Sequence, residues 1–510
     1  MAMQSISQLA QAAVDEFKAA TKDGAGIQAA SLQKSVGITV ATGIQNYDLQ
    51  RPAKNLIPVI TPIRNRLPRT AGNGGPATNW ISVTGINTKR LQGPVPEGTR
   101  QGVVTTVATP HAANYVTLGL EDFVTLQAEL GAVNYEDIRA TTGMRLLWAT
   151  MIMEEDNIIG ANSSVSLGTA GVPQGVGLTL NASGGTITDN GTGYSVYVIA
   201  MTNMAKEAAS VGTTALQGTV TVTPADGSAT FSYGGGISKL SGAATTGAVS
   251  HSNLASVSAH CTQVPGAAGY AWYMGITSSG NYWLQAITTI NSVLITSYNA
   301  ATHKTTDITG IASDNSENAY AFDGLLSIAA NYATNNAYFA ALARGTDGTG
   351  TPLSSADNDG VIPEIDTCNR DRWDNYRLGF DAWYVNSQEG RNISKKVLAA
   401  NPAHVNYLGG ADGLTGGEQI KFLLNPYTQQ RQELIIHPNV PAGTMIGVTH
   451  TLPYPMSNVP NVLEMKLRRD YFQMEWPMRT LKYETGVYFD GVLADYFPPA
   501  IGVITNIGNG

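Results

Sequence analysis

Charged side chains are scarce in this chain of 510 residues. Lys, Arg, Asp and Glu together make up 13% of it, whereas an ordinary soluble domain has about 25%. A monomer of this size would have too few charges to cover its surface. We therefore expect either a β-rich surface of small polar residues or a surface largely covered by partners. The net charge of −8 argues against tight nucleic-acid binding by the chain as a whole.

Three further absences narrow the class of protein. The longest apolar stretch, 144–153, contains Arg145 and is far shorter than the roughly 20 residues of a membrane span. The two cysteines, Cys261 and Cys368, form no C-x-x-C pair. The start, MAMQSISQLAQAAVDEF, lacks the basic and apolar regions of a secretory signal. These features favour a reducing cytoplasm and predict no membrane partner.

Enzyme motifs are also missing. The sequence has no phosphate-binding loop, dinucleotide fingerprint, zinc-protease motif or nucleophile elbow, so we expect neither catalysis nor a cofactor. One weak metal pattern remains, in which Asp357, Asp359 and Asp366 fall at calcium-loop spacing after Ser355. The first and last positions are not the residues that such a loop prefers, and an acidic surface turn is the alternative.

A basic, proline-rich segment covers residues 49–96. It has no acidic residue, and its prolines favour extended chain over helix. Interleaved apolar residues favour docking on a neighbouring surface over a solvated linker. Its basic residues are Arg51, Lys54, Arg64, Arg66, Arg69, Lys89 and Arg90.

The clearest predicted helix covers residues 134–160, with Asn134 as N-cap and Gly160 as its end. Its last turns carry Glu154, Glu155 and Asp156, which is the wrong sign for a helix C-terminus. Each unpaired charge there costs about 0.3–1 kcal/mol. We therefore predict that the basic segment supplies compensating cations, and we treat both sets of residues as candidates for contacts between subunits.

Strand patterns fill much of the remaining chain. NWISVTGI (79–86) and ANYVTLGL (113–120) predict a long hairpin. The 64 residues from Leu240 to His303 contain no Lys, Arg, Asp or Glu, and regular turns predict an inserted β-sandwich at 210–315. Within it, VPGAAGYAWYMGI (264–276) is similar to the B–C hairpin of fibronectin type III or immunoglobulin-like domains.

Four local patterns complete the assignment. Residues 4–22 predict an amphipathic helix, and Asn386 with Glu389 predicts the start of another. Residues 432–455 predict two strands about a Pro/Gly turn. The final stretch, 470–510, is aromatic and β-branched, so it must be buried in its own domain or against another copy.

The order of these parts resembles the major capsid protein of tailed bacteriophages, the Hong Kong 97 type fold. The similarity covers most of the chain outside the insertion. The segments that carry it are LLWATMIMEEDNIIG (146–160), IIHPNVPAGTMIGV (435–448), RRDYFQMEWP (468–477) and YETGVYFDGVLADYFPPAIGVITNI (483–507).

The resemblance implies an α+β fold with an inserted all-β sandwich. It divides the chain into an N-terminal arm (1–75), an extended loop (76–120), a peripheral domain with the spine helix (121–170), the start of an axial domain (171–209), the insertion (210–315), the axial domain (316–460) and peripheral terminal strands (461–510).

The same resemblance implies a function in a virion capsid assembled in the bacterial cytoplasm. Subunits would form pentamers and hexamers around non-specifically contacted double-stranded DNA, with a portal protein at one vertex and a decoration protein as a further candidate partner. No long charged helical region precedes the arm, so we expect a separate scaffolding protein. Some relatives cross-link their loops, but nothing identifies a partner for Lys89.

Two alternatives remain open at this point. One is an encapsulin-like nanocompartment shell, although the length and the insertion favour a virus. The other is a secreted β-rich glycan-binding or adhesive protein, which the aromatic residues Trp272, Tyr273, Tyr282 and Trp283 suggest. Such aromatic residues are more often strand core, and the missing signal peptide weighs against secretion.

Overall fold

The computed structural model describes residues 53–86, 94–180, 185–188, 192–212, 215–246, 255–277, 279–354, 361–399, 409–410, 413–414 and 420–509. The helix predicted at residues 4–22 lies outside them. In the described residues the α-helices are α1 (Pro62–Arg66), α2 (Leu126–Gly131), α3 (Ile138–Gly160), α4 (Asn203–Ala208), α5 (Leu325–Ala330), α6 (Tyr332–Asn335), α7 (Pro363–Tyr376) and α8 (Ser387–Ala399).

The strands are more numerous than the helices. In the same residues they are β1 (Arg69–Ala71), β2 (Ala77–Ile86), β3 (Thr106–Asn114), β4 (Val116–Thr125), β5 (Gln174–Leu180), β6 (Tyr194–Met201), β7 (Thr219–Val222), β8 (Phe231–Gly234), β9 (Ala244–Thr245), β10 (Ala255–His260), β11 (Gly269–Ile276), β12 (Trp283–Thr288), β13 (Ser292–Ile295), β14 (Tyr338–Ala341), β15 (Ala382–Val385), β16 (Gly409–Gly410), β17 (Gly413–Leu414), β18 (Phe422–Leu424), β19 (Arg431–Ile436), β20 (Met445–Val448), β21 (Leu463–Glu475), β22 (Lys482–Asp495) and β23 (Ile501–Thr505). The predicted α+β class is confirmed.

The chain divides into two units. The smaller unit combines Met1–Ile57 with Glu129–Ile138. In its described part, the backbone N–H of Ala53 donates to Oε2 of Glu136 at 3.1 Å. The larger unit combines Pro58–Ala128 with Arg139–Gly510 and contains the sheets described below.

A four-stranded sheet has the order β1-β21-β22-β4. Strand β22 is antiparallel to both of its neighbours. Its side chains Phe489, Val492 and Leu493 are buried and share one hydrophobic cluster with Ile158 and Ile159 at the end of α3. Burying a large apolar side chain contributes about 1.5–3 kcal/mol. This cluster therefore accounts for the aromatic and β-branched composition of the C-terminal stretch.

A six-stranded sheet has the order β14-β23-β20-β15-β19-β18. Its central strand β15 is buried on both faces. Tyr384 belongs to the cluster shared with the four-stranded sheet, whereas Trp383 packs in a second cluster with Cys368 and Met445. The two strands predicted within 432–455 form as β19 and β20. They do not pair with each other, because β15 lies between them.

The end of the chain is divided between these two sheets. Strand β23 pairs with β14 and β20, so residues 461–510 do not form a single set of peripheral strands. Pro498 and Pro499 separate β22 from β23, because proline has no N–H for a strand ladder. Ile501 and Val503 have no solvent exposure. The predicted burial of the terminus is confirmed, and it is achieved within the chain's own fold.

Two smaller sheets form a region that we call the two-sheet region (174–295). Their orders are β13-β10-β5 and β12-β11-β6-β9. Val257 and Val293 of the first sheet share a hydrophobic cluster with Val196 and Trp272 of the second. Because β5 and β6 pair with strands from 255–295, the predicted boundary at residue 210 separates strands that belong together.

The segment 264–276 is not a hairpin. It leads into β11, and the preceding strand β10 lies in the other sheet, so it connects the two sheets. Trp272 and Tyr273 have no solvent exposure, which confirms that they are strand core. The immunoglobulin-like character of the region stays a prediction.

The start of helix α3 differs from the prediction. It begins at Ile138, and Asn134 has a φ of 65°. This is the left-handed conformation, which Asn tolerates, so Asn134 is not an N-cap. The predicted end at Gly160 is confirmed. At the start of α8, the backbone N–H of Gln388 donates to Oδ1 of Asn386 at 3.2 Å, which confirms that capping signal.

The long hairpin exists, but its second strand was wrongly identified. Strand β2 pairs with β3, TVATPHAAN, whereas most of ANYVTLGL lies in β4 and pairs with β22. The pattern missed β3 because its alanines and Pro110 have low β propensity. Pro110 is tolerated because each strand of a two-stranded ribbon has an open edge.

Candidate assembly surfaces

The end of α3 meets the basic segment. Nε of Arg64 lies 2.9 Å from Oε2 of Glu154, and Nη1 of Arg69 lies 2.6 Å from Oε1. The side chain of Glu154 has no solvent exposure, and a buried carboxylate needs a partner of opposite charge. The last turn of α3 provides no cation. The predicted compensation by the basic segment is therefore confirmed for these two arginines.

Tyr471 of β21 completes this contact. Its hydroxyl donates to Glu154, and the guanidinium carbons of Arg64 and Arg69 lie 5.1 and 4.9 Å from its ring centroid. Burial, together with the charge of Glu154, raises the pKa of Tyr471. Burial alone would raise the pKa of Asp470. Its hydrogen bonds with Arg69 and with the backbone of Tyr471, together with the charges of Arg69 and Arg64, outweigh this effect and keep that pKa below its usual range.

Glu155 caps the short helix α1. Its carboxylate accepts the backbone N–H of Ile63 at 2.9 Å and that of Arg64 at 2.7 Å. The first N–H groups of a helix have no partner within the helix, and the preceding Thr61 provides no side-chain cap. The carboxylate also lies 2.7 Å from Nε2 of His437. Glu155 therefore fixes the position of α1 against α3 rather than pairing with an arginine side chain.

The other predicted contact residues are placed differently. Arg66 lies 2.5 Å from Glu433, and both side chains are well exposed. Asp156 accepts a hydrogen bond from Nδ2 of Asn439, and burial raises its pKa. Lys54 is exposed. Three predicted residues lie outside the described part of the chain: Arg51, Lys89 and Arg90.

All of these contacts join residues of one chain, so a role between subunits stays a prediction. The sequence patterns missed Tyr471 and His437 as partners of the helix end. They are 317 and 282 residues from Glu154 and Glu155, and no local pattern links positions so far apart. His437 had only the features of a residue at the end of a strand.

The metal pattern lies mostly outside the described residues and stays a prediction. Asp357 and Asp359 lie outside the described residues, and Asp366 is in helix α7, where it accepts a hydrogen bond from the hydroxyl of Tyr427 at 3.0 Å. Within the described ranges, no three His, Cys, Asp or Glu side chains are grouped in a way that could hold a metal ion. No helix in those ranges has the length and apolarity to span a membrane.

The hairpin of β2 and β3 has one covered face. On that face, Trp80 stacks on His111 with 5.5 Å between ring centroids, and meets the edge of Tyr496 at 5.4 Å. The hydroxyl of Ser82 donates to the backbone oxygen of Tyr496 at 3.3 Å. These contacts hold the base of the hairpin against the end of β22.

The opposite face is apolar and exposed. Directly paired residues of antiparallel strands lie on one face, and here Ile81 faces Pro110 while Val83 faces Ala108. Ile81 is 71% exposed and Val83 64%. Neither strand contains Lys, Arg, Asp or Glu. We call this surface the open hairpin face; its members are Ile81, Val83, Ile86, Ala108 and Pro110.

A second apolar surface lies on the four-stranded sheet. Side chains alternate along a strand, so Tyr488 lies on the face opposite to the buried Phe489. Tyr488 stacks on Phe472 with 6.0 Å between centroids, and Trp476 meets it edge-on at 6.2 Å. The ring of Tyr488 lies over Gly119, where a Cβ would be 2.1 Å from it. This aromatic surface requires glycine at that position.

The solved structures that are similar to this chain include phage capsid proteins. No protein-family model matches the sequence, and no curated protein matches it. Among solved structures, the capsid of Myoviridae phage XM1 is similar over 92% of this chain and 100% of that chain, with 9% identity and a TM-score of 0.40.

Two further capsid structures are similar to this chain to about the same extent. The capsid of the native GTA particle is similar over 93% of this chain and 100% of that chain, with 8% identity and a TM-score of 0.41. The capsid of cyanophage P-SCSP1u is similar over 95% of this chain and 100% of that chain, with 8% identity and a TM-score of 0.39. All three TM-scores lie below 0.5.

Proposed function

We propose that this chain is the major capsid subunit of a tailed bacteriophage. Copies of it assemble into pentamers and hexamers that close an icosahedral shell around double-stranded DNA. The observation that carries the proposal is the open hairpin face, an uncharged apolar surface on a two-stranded ribbon.

The physical reason lies in the stability of such a ribbon. An isolated two-stranded hairpin is marginal in water, and it gains stability by packing against another surface. Trp80 and Ser82 hold only one face of this hairpin. The face with Ile81 and Val83 remains exposed in the described part of the chain. Exposed apolar surface of this kind marks an interaction site, and a neighbouring copy of the same chain supplies the cover.

The composition supports the same proposal. A subunit that covers much of its surface with copies of itself needs few charged side chains, and this chain has only 13%. Its net charge of −8 suits DNA that is confined by the shell rather than gripped by each subunit.

The described sheets can be assigned within a Hong Kong 97 type fold. Helix α3 and the four-stranded sheet are the candidates for the peripheral domain, and the six-stranded sheet for the axial domain. The two-sheet region takes the place of the inserted domain. A portal protein and a separate scaffolding protein are the expected partners, and a decoration protein is a further candidate.

Electron microscopy of the full-length protein, with light scattering of the same sample, tests this proposal. We expect closed shells for the wild type and free subunits or capsomers for Ile81→Glu. Met456→Glu is the matched control, because Met456 is 95% exposed and lies outside the open hairpin face. It should assemble as the wild type does.

Two results would contradict the proposal. One is a wild-type protein that stays monomeric under all conditions, with or without a co-expressed scaffolding protein. The other is an Ile81→Glu variant that forms normal shells. The contents of the shells then separate a DNA-filled capsid from an encapsulin-like compartment that holds a protein cargo.

A further inference from the structure

The buried ring of His437 is held at both of its nitrogens. Nε2 lies 2.7 Å from Oε1 of Glu155, and the backbone N–H of Asn439 donates to Nδ1 at 3.0 Å. Neither His437 nor Glu155 has any side-chain exposure. A nitrogen that accepts an N–H carries no proton of its own. The ring is therefore neutral, with its single proton on Nε2 and directed at Glu155.

This ring holds a loop that connects three parts of the fold. The loop, residues 437–444, joins β19 to β20. Its Asn439 donates through Nδ2 to Asp156 of α3 and accepts from Nδ2 of Asn203 of α4 at 3.3 Å. The backbone oxygen of its Val440 accepts from Nδ2 of Asn386, next to α8, at 2.8 Å. The loop thus links the end of α3 to α4 in the two-sheet region and to α8.

We propose that His437 is a proton-operated latch on this loop: the neutral ring holds residues 437–444 in place, and the cationic ring releases them. A proton on Nδ1 turns the acceptor into a second donor facing the N–H of Asn439. Two donors cannot share that contact, so the loop must move away. Pro438, the next residue, is exposed, which gives the proton a short path from solvent.

Two carboxylates lie close to the ring, those of Glu155 and Asp156. The titratable and charged groups that face this site from the elements around it are Glu154, Glu155 and Asp156 on α3, Arg64 and Arg66 on α1, Tyr384 on β15, Lys206 and Glu207 on α4, and Glu389 on α8, which accepts the backbone N–H of Gly443.

Acid weakens the second contact of the loop as well. Burial raises the pKa of Asp156, and the charge of Glu155 adds to this effect. Asp156 therefore takes up a proton at a higher pH than an ordinary Asp, and the protonated carboxyl is a weaker acceptor for Asn439. Both contacts of Asn439, with His437 and with Asp156, therefore weaken as the pH falls. The latch lies within one chain, so it does not depend on the shell proposed above.

Hydrogen exchange of the full-length protein at pH 7.5 and 5.5 tests the latch, with rates corrected for the intrinsic effect of pH. We expect the wild-type loop 437–444 to exchange severalfold faster at pH 5.5 than at pH 7.5. In His437→Gln the residue cannot titrate, so the increase in exchange between pH 7.5 and 5.5 should be clearly smaller than in the wild type; the remainder comes from Asp156.

His450→Gln is the matched control. His450 also contacts a carboxylate, with Nδ1 at 2.8 Å from Oδ1 of Asp381, but it lies outside the loop. This variant should keep the wild-type response of residues 437–444. An unchanged wild-type loop, or a pH response in His437→Gln as large as that of the wild type, would overturn the proposal.

Nitrogen-15 spectra of the histidine-labelled wild type give a second test that does not depend on a variant folding. His437 should show the neutral form with its proton on Nε2 at pH 7.5. It should be cationic under the conditions at which the loop loses protection. A cationic His437 with a fully protected Asn439 amide would exclude the latch.

Discussion

Nη1 of Arg69 lies 2.6 Å from Oε1 of Glu154, and the carboxylate of Glu154 has no solvent exposure. The two residues are 85 positions apart and join the basic segment to the end of α3. Arg64 reaches the other oxygen of the same carboxylate. Two cations on one buried anion make this contact the main electrostatic link between the segment and the helix.

Removing the charge of Glu154 should destabilise the protein strongly. Glu154→Gln leaves two partly buried guanidinium groups without their anion, and breaking a buried pair in this way costs about 3 kcal/mol. Urea unfolding of the unassembled chain measures this loss. Glu433→Gln is the control, because the exposed pair of Arg66 and Glu433 contributes less than about 1 kcal/mol. Equal losses in the two variants would contradict the assignment.

The carboxyl of Asp495 predicts a pH dependence of stability. Burial raises its pKa from the usual 3.8 to about 7, and its Oδ2 has no hydrogen-bond partner among the described residues. Because the folded-state pKa is the higher one, the stabilisation is complete below pH 4 and is lost as the pH rises through 7. Asp495→Asn should remove up to about 4 kcal/mol of this dependence.

Urea unfolding of wild type and Asp495→Asn between pH 4 and 8 measures this difference. Asp470→Asn is an informative comparison, because the pKa of Asp470 lies below its usual range. Its stabilisation is therefore constant between pH 4 and 8 and is lost only at lower pH, as the pH falls through that pKa. Parallel pH profiles for wild type and Asp495→Asn would rule out a titration of Asp495 in this range.

A methyl group at Gly119 should disrupt the aromatic surface. In Gly119→Ala the new Cβ would lie 2.1 Å from Cδ1 of Tyr488 and 2.7 Å from the backbone oxygen of Val487. Relief requires the ring or the strand to move, at a cost of about 1–3 kcal/mol. Gly85→Ala, where nothing lies within 4 Å, should change the unfolding free energy by less than about 0.5 kcal/mol. A neutral Gly119→Ala would show that Tyr488 moves freely.

Trp80 should control how firmly the hairpin is held. Trp80→Ala removes the stacking on His111 and the edge contact with Tyr496, each worth about 0.5–1.5 kcal/mol. Hydrogen exchange in β2 and β3 should accelerate, while the thermal unfolding midpoint changes little. Ile81→Ala, on the open hairpin face, should leave this exchange unchanged. If both variants behave alike, Trp80 does not anchor the hairpin.

Local patterns predicted elements better than they predicted partners. The end of α3 at Gly160, the cap at Asn386 and the strand at 79–86 follow from spacing within a few residues. The strand that pairs with 79–86 could not be predicted in this way, because β3 contains few residues that favour strands. The boundary at residue 210 failed for a similar reason, since strands at 174–201 pair with strands more than fifty residues away.

The opposite charges of residues 49–96 and of the acidic helix end were sufficient to predict that the two would meet. The apolar composition of 470–510 was sufficient to predict its burial. Both conclusions follow from the sequence, because unpaired buried charge and exposed apolar surface are unfavourable in any fold.

Only the tertiary structure decided how those requirements are met. In the folded chain, Glu154 pairs with two arginines, whereas Glu155 binds the start of α1 and His437. Strand β23 lies in a different sheet from β22. These choices depend on which distant segments share one packed core. The geometry of that core, rather than any local pattern, selects among partners of equal chemistry.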